Sequence, residues 1–133
     1  MELILFPRES PMTKTPDKRA PEEDPAPLSL PWIYILVALA DEPRHGYGVM
    51  QEVESRTGGE VNIWPATLYG AIKRMLAAGL IEEAPDRPED GDDPRRNYYR
   101  LTPTGRTVLT RETGRLARLL EIAAEKEVAG EPT

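Results

Sequence analysis

Two groups of residues could do chemistry, and in both cases the chemistry is binding a polyanion. In the first group, Ala66, Thr67 and Gly70 stand just before Lys73 and Arg74 on one helical face. Small side chains let a groove wall approach, and Lys or Arg neutralises phosphates or pairs with a base edge. The second group is Arg95 and Arg96, at the end of a charged, turn-rich stretch. Tyr47, Tyr69 and Tyr98 add phenols that donate to phosphate or pack as rings with a satisfied O–H. Tyr69 leans toward the first role, and Tyr47 stays open between the two. Trp64, just before the basic helix, is expected to be exposed near the same partner. Catalysis has no comparable footing. There is no cysteine, the one histidine (His45) has no carboxylate or thiol cluster at metal spacing, and no glycine-rich phosphate loop is present. No catalytic residue, metal or cofactor is therefore expected, and His45 reads as a capping or hydrogen-bonding residue.

The basic face must be held by an element, and Trp64 to Ile81 supplies one. Pro65 suits a first helical turn, where its missing N–H costs nothing. Leu68, Ile72, Met75 and Leu76 recur at three- and four-residue spacing, and Gly79 is a left-handed C-cap candidate. Upstream, Ser29 to Ala40 is a helix that is apolar nearly all round, capped by Ser29 with Pro31 in its first turn. Residues 41–44 form a turn. A second helix then runs from His45 to Arg56, where two glycines flanking Tyr47 suggest close approach of another backbone. Thr57-Gly58-Gly59 ends it, and Val61-Asn62-Ile63 alternates like a short strand. Two further strands, Leu80 to Ala84 and Asn97 to Thr102, flank the polar stretch PDRPEDGDDPRR and make a hairpin with an extended tip. Thr102-Pro103 caps a last helix that continues to about Val128, ~35 Å at the usual rise per residue. Its apolar stripe is longer than a domain of this size can cover, so part of it is expected to meet a partner.

Composition sets the remaining bounds. The chain has 133 residues and a net charge of −6, which counts against nucleic acid unless charge is unevenly placed. It is unevenly placed: residues 61–111 carry 8 basic and 7 acidic side chains, and this segment alone has a positive balance. Residues 1–28 hold six prolines among charged and polar residues and read as a disordered extension. No run is long and apolar enough to span a membrane, and MELILF is too short for a signal core, so a cytoplasmic location is expected.

The order helix, helix, short strand, helix, hairpin, long helix is that of a winged helix-turn-helix: mostly α (α+β), with a long C-terminal dimerisation helix. In it the third helix enters the major groove of double-stranded DNA, and Arg95, Arg96 and Tyr98 belong to the wing. The expected organisation is an extension over 1–28, a winged helix-turn-helix over 29–102 and a dimerisation helix over 103–128.

HGYG at 45–48, P-x-T-L-Y at 65–69, GLI at 79–81 and YYRLT at 98–102 together resemble the PadR family of transcriptional regulators, over residues 30–127. A single C-terminal helix resembles its short form. The resemblance implies a homodimer joined through the first and last helices, here Trp32, Leu36, Leu109, Leu116, Leu119, Leu120 and Ala123. It implies repression, with release by a small aromatic or hydrophobic effector seated near Trp32, Leu36, Leu116 and Leu120. The acidic wing tip (Glu89, Asp90, Asp92, Asp93) and the acidic whole leave an alternative open: a protein-interaction domain of the same fold without DNA binding.

Overall fold

The computed structural model describes residues 27–85 and 97–130. Its elements are α1 (Leu30–Ala38), β1 (Arg44–His45), α2 (Gly46–Arg56), α3 (Pro65–Ala77), β2 (Ile81–Ala84), β3 (Tyr98–Leu101) and α4 (Pro103–Glu125). The strands form an antiparallel sheet in the order β1-β3-β2. This is the winged-helix arrangement expected from the element order. Residues 1–26 of the extension expected over 1–28, the wing tip, Arg95 and Arg96 lie outside the described residues.

Each helix start has a chemical reason. The Ser29 hydroxyl accepts from Trp32 N at 3.4 Å, with Pro31 in the first turn of α1. His45 caps α2: its Nδ1 accepts from Gly48 N at 3.0 Å, the capping role expected of it. Thr102 caps α4 by accepting from Gly105 N at 2.9 Å, and its hydroxyl donates to Gly79 O at 2.6 Å. One threonine thus joins the end of α3 to the start of α4. The end of α3 is a Schellman turn: Leu80 N donates to Met75 O, Gly79 N donates to Leu76 O, and Gly79 has φ 77°. At Gly105, in the first turn of α4, a Cβ would strike the carbonyl of Leu80, the residue just before β2.

Two strand expectations change. Residues 61–63 form no strand; instead Thr57 Oγ1 accepts from Val61 N at 3.1 Å, so a side chain satisfies the backbone that a ladder would have served. The third strand is Arg44–His45, which pairs with Tyr98 and Tyr99 of β3. Arg44 holds this corner: its Nε donates to Ala38 O at 2.8 Å, and its guanidinium meets Asp41, Glu42 and Glu52 within 3.5 Å.

The core collects Ile35, Leu36, Val49, Val53, Leu68, Ile72, Met75 and Ile81, with Leu109 from the first half of α4. Glu112 is buried there. Its Oε1 accepts from Leu28 N at 3.2 Å, so Leu28, read as part of the loose extension, is tied to α4. Its Oε2 is buried without a hydrogen-bond partner, a desolvation cost of about 1–3 kcal/mol. Beyond Leu116 the helix leaves the body. Leu119 is 58% exposed and Leu120 59%.

Candidate nucleic-acid interface

The buried stripe of α3 (Leu68, Ala71, Ile72, Met75) turns the opposite side outward. Ala66, Thr67, Tyr69, Lys73 and Arg74 are exposed, and Gly70 is half-buried beside them. The small-then-basic face therefore exists as one continuous surface. Trp64 is the N-cap residue of α3, makes no side-chain cap, and is 73% exposed.

The two helices of the helix-turn-helix are held together by a ring against a glycine. A Cβ on Gly46 would lie 2.5 Å from the Tyr69 hydroxyl and 2.7–2.8 Å from its ring carbons. Gly46 thus admits the Tyr69 side chain rather than another backbone, while Tyr69 keeps its outer half exposed. Tyr47, next along α2, is also half exposed. Gly48 faces the His45 ring instead, which a Cβ would approach to 3.4 Å.

Tyr98 is not on this surface. It is 7% exposed and meets the His45 ring edge-on, with centroids 5.1 Å apart. Its neighbour Tyr99 is the one that joins the core, and Tyr98 is covered by His45 of the paired strand β1. The signal that could have found this is the pair HGYG and YYRLT themselves, since His45 and Tyr98 are register partners. The neighbouring Tyr99 phenol titrates above the usual tyrosine range because burial disfavours its anion. Arg56 is held above its usual value by the hydrogen bond to Glu52 at 2.9 Å.

Arg74 takes a particular path. Its guanidinium carbon lies 6.0 Å from the centroid of the Trp32 ring on α1. Among the described residues Lys73 makes no such contact.

At the other end, the residues expected at a dimer seam separate into two sets. Leu36 (0% exposed) and Leu109 (8%) are sealed in the protomer's own core, so neither can line a seam or an effector pocket. Leu119 and Leu120 are exposed; Trp32, Leu116 and Ala123 are half-buried. An apolar cavity opens between α1 and α2. It has about 400 Å³ and is lined by Tyr34, Val37, Ala38 and Val53 together with Asp41, Glu52, Arg56 and Thr57. Among the described residues no group of three or more His, Asp or Glu could hold a metal, and no helix is long and apolar enough to cross a membrane.

A three-helix body with a β-hairpin after an outward-facing third helix defines a winged helix-turn-helix protein. The sequence pattern of the PadR-like family of transcriptional regulators matches residues 35–111, and the chain belongs to that family. It is 35% identical over 97 residues to an uncharacterised 37.1 kDa protein of a Streptomyces fradiae transposon, a match covering 73% of this chain but 26% of that protein. Its structure is similar to a PadR family transcription regulator of Clostridium difficile, with TM-score 0.57 and 25% identity over 71% of this chain and 96% of that one. It also shares its fold with Bacillus subtilis PadR solved in complex with operator DNA, with TM-score 0.53 and 19% identity over 62% and 46% of the two chains.

Proposed function

We propose that this chain is a sequence-specific DNA-binding transcriptional regulator that represses as a homodimer in the cytoplasm. The observation that carries the reading is the exposed face of α3, where Ala66, Thr67 and Gly70 lead to Lys73 beside a hairpin. Small residues allow entry into the major groove, and a cation follows where phosphates would lie. Tyr69 and Tyr47, both half exposed at the helix-turn-helix junction, donate to backbone phosphates. The wing acts through Arg95 and Arg96. Residues 29–102 form the DNA-binding unit and 103–128 the dimerisation helix, with the extension outside both.

The dimer reading rests on the far end. Leu30, Val37, Leu119, Leu120 and Ile122 are large apolar side chains left about half exposed on α1 and α4. Burying the remaining half of each stabilises by about 1 kcal/mol, and a second copy offers a surface of the same kind. Two-fold pairing then sets two α3 helices on half-sites about one helical turn apart, or a multiple of that. A small aromatic or hydrophobic effector near Trp32, Leu116 and Leu120 would bias that seam.

A second reading, an interaction domain that does not bind DNA, is favoured by the net charge of −6. Selecting bound fragments from the source genome and titrating one across a salt series separates the two. Affinity that falls steeply with log salt supports DNA binding; no enrichment of any fragment supports the interaction domain.

A further inference from the structure

Resting on the DNA-binding reading, we propose that Arg74 and Trp32 form a latch tying α3 to the α1 seam, which makes Arg74 a positioning residue. In the body, α1 packs on α2 and α4, while α3 packs on α2 and β2. The Arg74–Trp32 contact therefore links directly two helices whose main packing is indirect. Its geometry suits a cation over an aromatic face: the guanidinium carbon is 6.0 Å from the ring centroid, and tryptophan is the strongest such partner.

The path of the side chain supports the same role. Both terminal nitrogens of Arg74 lie 3.9 Å from where a Gly70 Cβ would stand. The side chain thus runs back along α3 toward its N-terminus, the direction in which helical side chains lean. Among the described residues the cations in ion pairs are Arg44, Arg56 and Arg100, so Arg74 is not committed to a carboxylate. Trp32 is half-buried and packed against the core, which holds its ring still for a partner. Adjacent residues on a helix point about 100° apart, so Lys73 remains free on the outer face while Arg74 is directed to α1.

The latch makes the two ends of the molecule mutually sensitive. A second copy or a flat aromatic molecule taking the Trp32 face releases Arg74 and with it one restraint on the tilt of α3. By reciprocity, DNA that fixes α3 in the latched tilt holds Trp32 against such a competitor.

The test uses the full chain. Trp64→Phe leaves Trp32 the only tryptophan, since the chain has two, and Trp64 is too exposed to matter to the core. In that background Arg74→Met keeps an apolar stem and loses the charge. The latch predicts a change in Trp32 emission intensity on Arg74→Met, without DNA. On DNA, Arg74→Met and Trp32→Leu should each weaken binding by about two- to fivefold, the range of an exposed cation–π contact. The double variant should be no weaker than either single one, and Trp32→Phe should recover most of the affinity. An unchanged emission overturns the latch. So does a normal affinity for Trp32→Leu alongside lost discrimination at one base pair for Arg74→Met, which would make Arg74 a base reader. If wild type binds no DNA but the emission responds, the latch stands and the DNA reading falls.

Discussion

The two exposed ends of this molecule leave different kinds of apolar surface uncovered. The α2–α3 end shows Tyr47, Tyr69 and Trp64, each a ring with one polar atom, next to Lys73. The α1–α4 end shows Leu30, Val37, Leu119, Leu120 and Ile122, which have no polar atom at all. Rings with a donor suit a wet, charged partner such as a phosphate backbone. Bare aliphatic side chains gain only by leaving water, so their partner must be apolar too. This difference is what supports our proposal of DNA for the first end and a second copy for the second.

The strongest way to break this division is at the aliphatic end. Leu119→Asp with Leu120→Asp would bury unpaired charge at a seam. We expect dimers to be lost in sedimentation at micromolar concentration while each protomer stays folded. Operator affinity should drop by about 100-fold, as expected when two linked half-site contacts become one. A wild-type monomer at that concentration would remove the seam.

Next in size is the junction at the aromatic end. Gly46→Ala pushes a methyl group into the Tyr69 ring. Overpacking of this kind costs about 1–3 kcal/mol, readable as a lower melting temperature. Because Tyr69 must move, DNA affinity should fall as well. Tyr69→Phe keeps the ring and separates the two effects: the melting temperature stays, and only a lost phosphate hydrogen bond shows.

A smaller change belongs to neither end. Thr102→Ala removes the cap of α4 and the hydrogen bond to Gly79 O, and should cost about 1 kcal/mol by chemical denaturation. The Arg100–Glu82 pair at 2.8 Å is half exposed on both sides, so Arg100→Ala should change stability by less than about 1 kcal/mol.

The sequence made α3 legible because four signals agree there: Pro65 at the start, the Leu68–Ile72–Met75 stripe, Gly79 at the end, and a small basic face opposite. The strand Arg44–His45 was hidden. Two residues carry no periodicity, and His45 spends its side chain capping α2 while its backbone joins β3. The burial of Tyr98 is hidden for the same reason, since only β1 shows that the side of β3 away from Tyr99 and the core is covered too. Leu36 is not sortable to core or seam from sequence, because a helix apolar on every side does not say which side meets its own core, and Leu109 shares the seven-residue row of Leu116 and Ala123 but lies in the half of α4 that packs on the body. The cation–aromatic contact of Arg74 depends on the angle between α1 and α3, which no local pattern encodes.

The most direct test of the central claim is fluorescence anisotropy on a genome-selected DNA fragment across a salt series, for wild type and Lys73→Ala. The account predicts that log affinity falls linearly with log salt, and that Lys73→Ala weakens binding and flattens the slope by about one unit. Equal affinity and equal slope for the two proteins would contradict it, because the exposed face of α3 would then not be in contact with DNA.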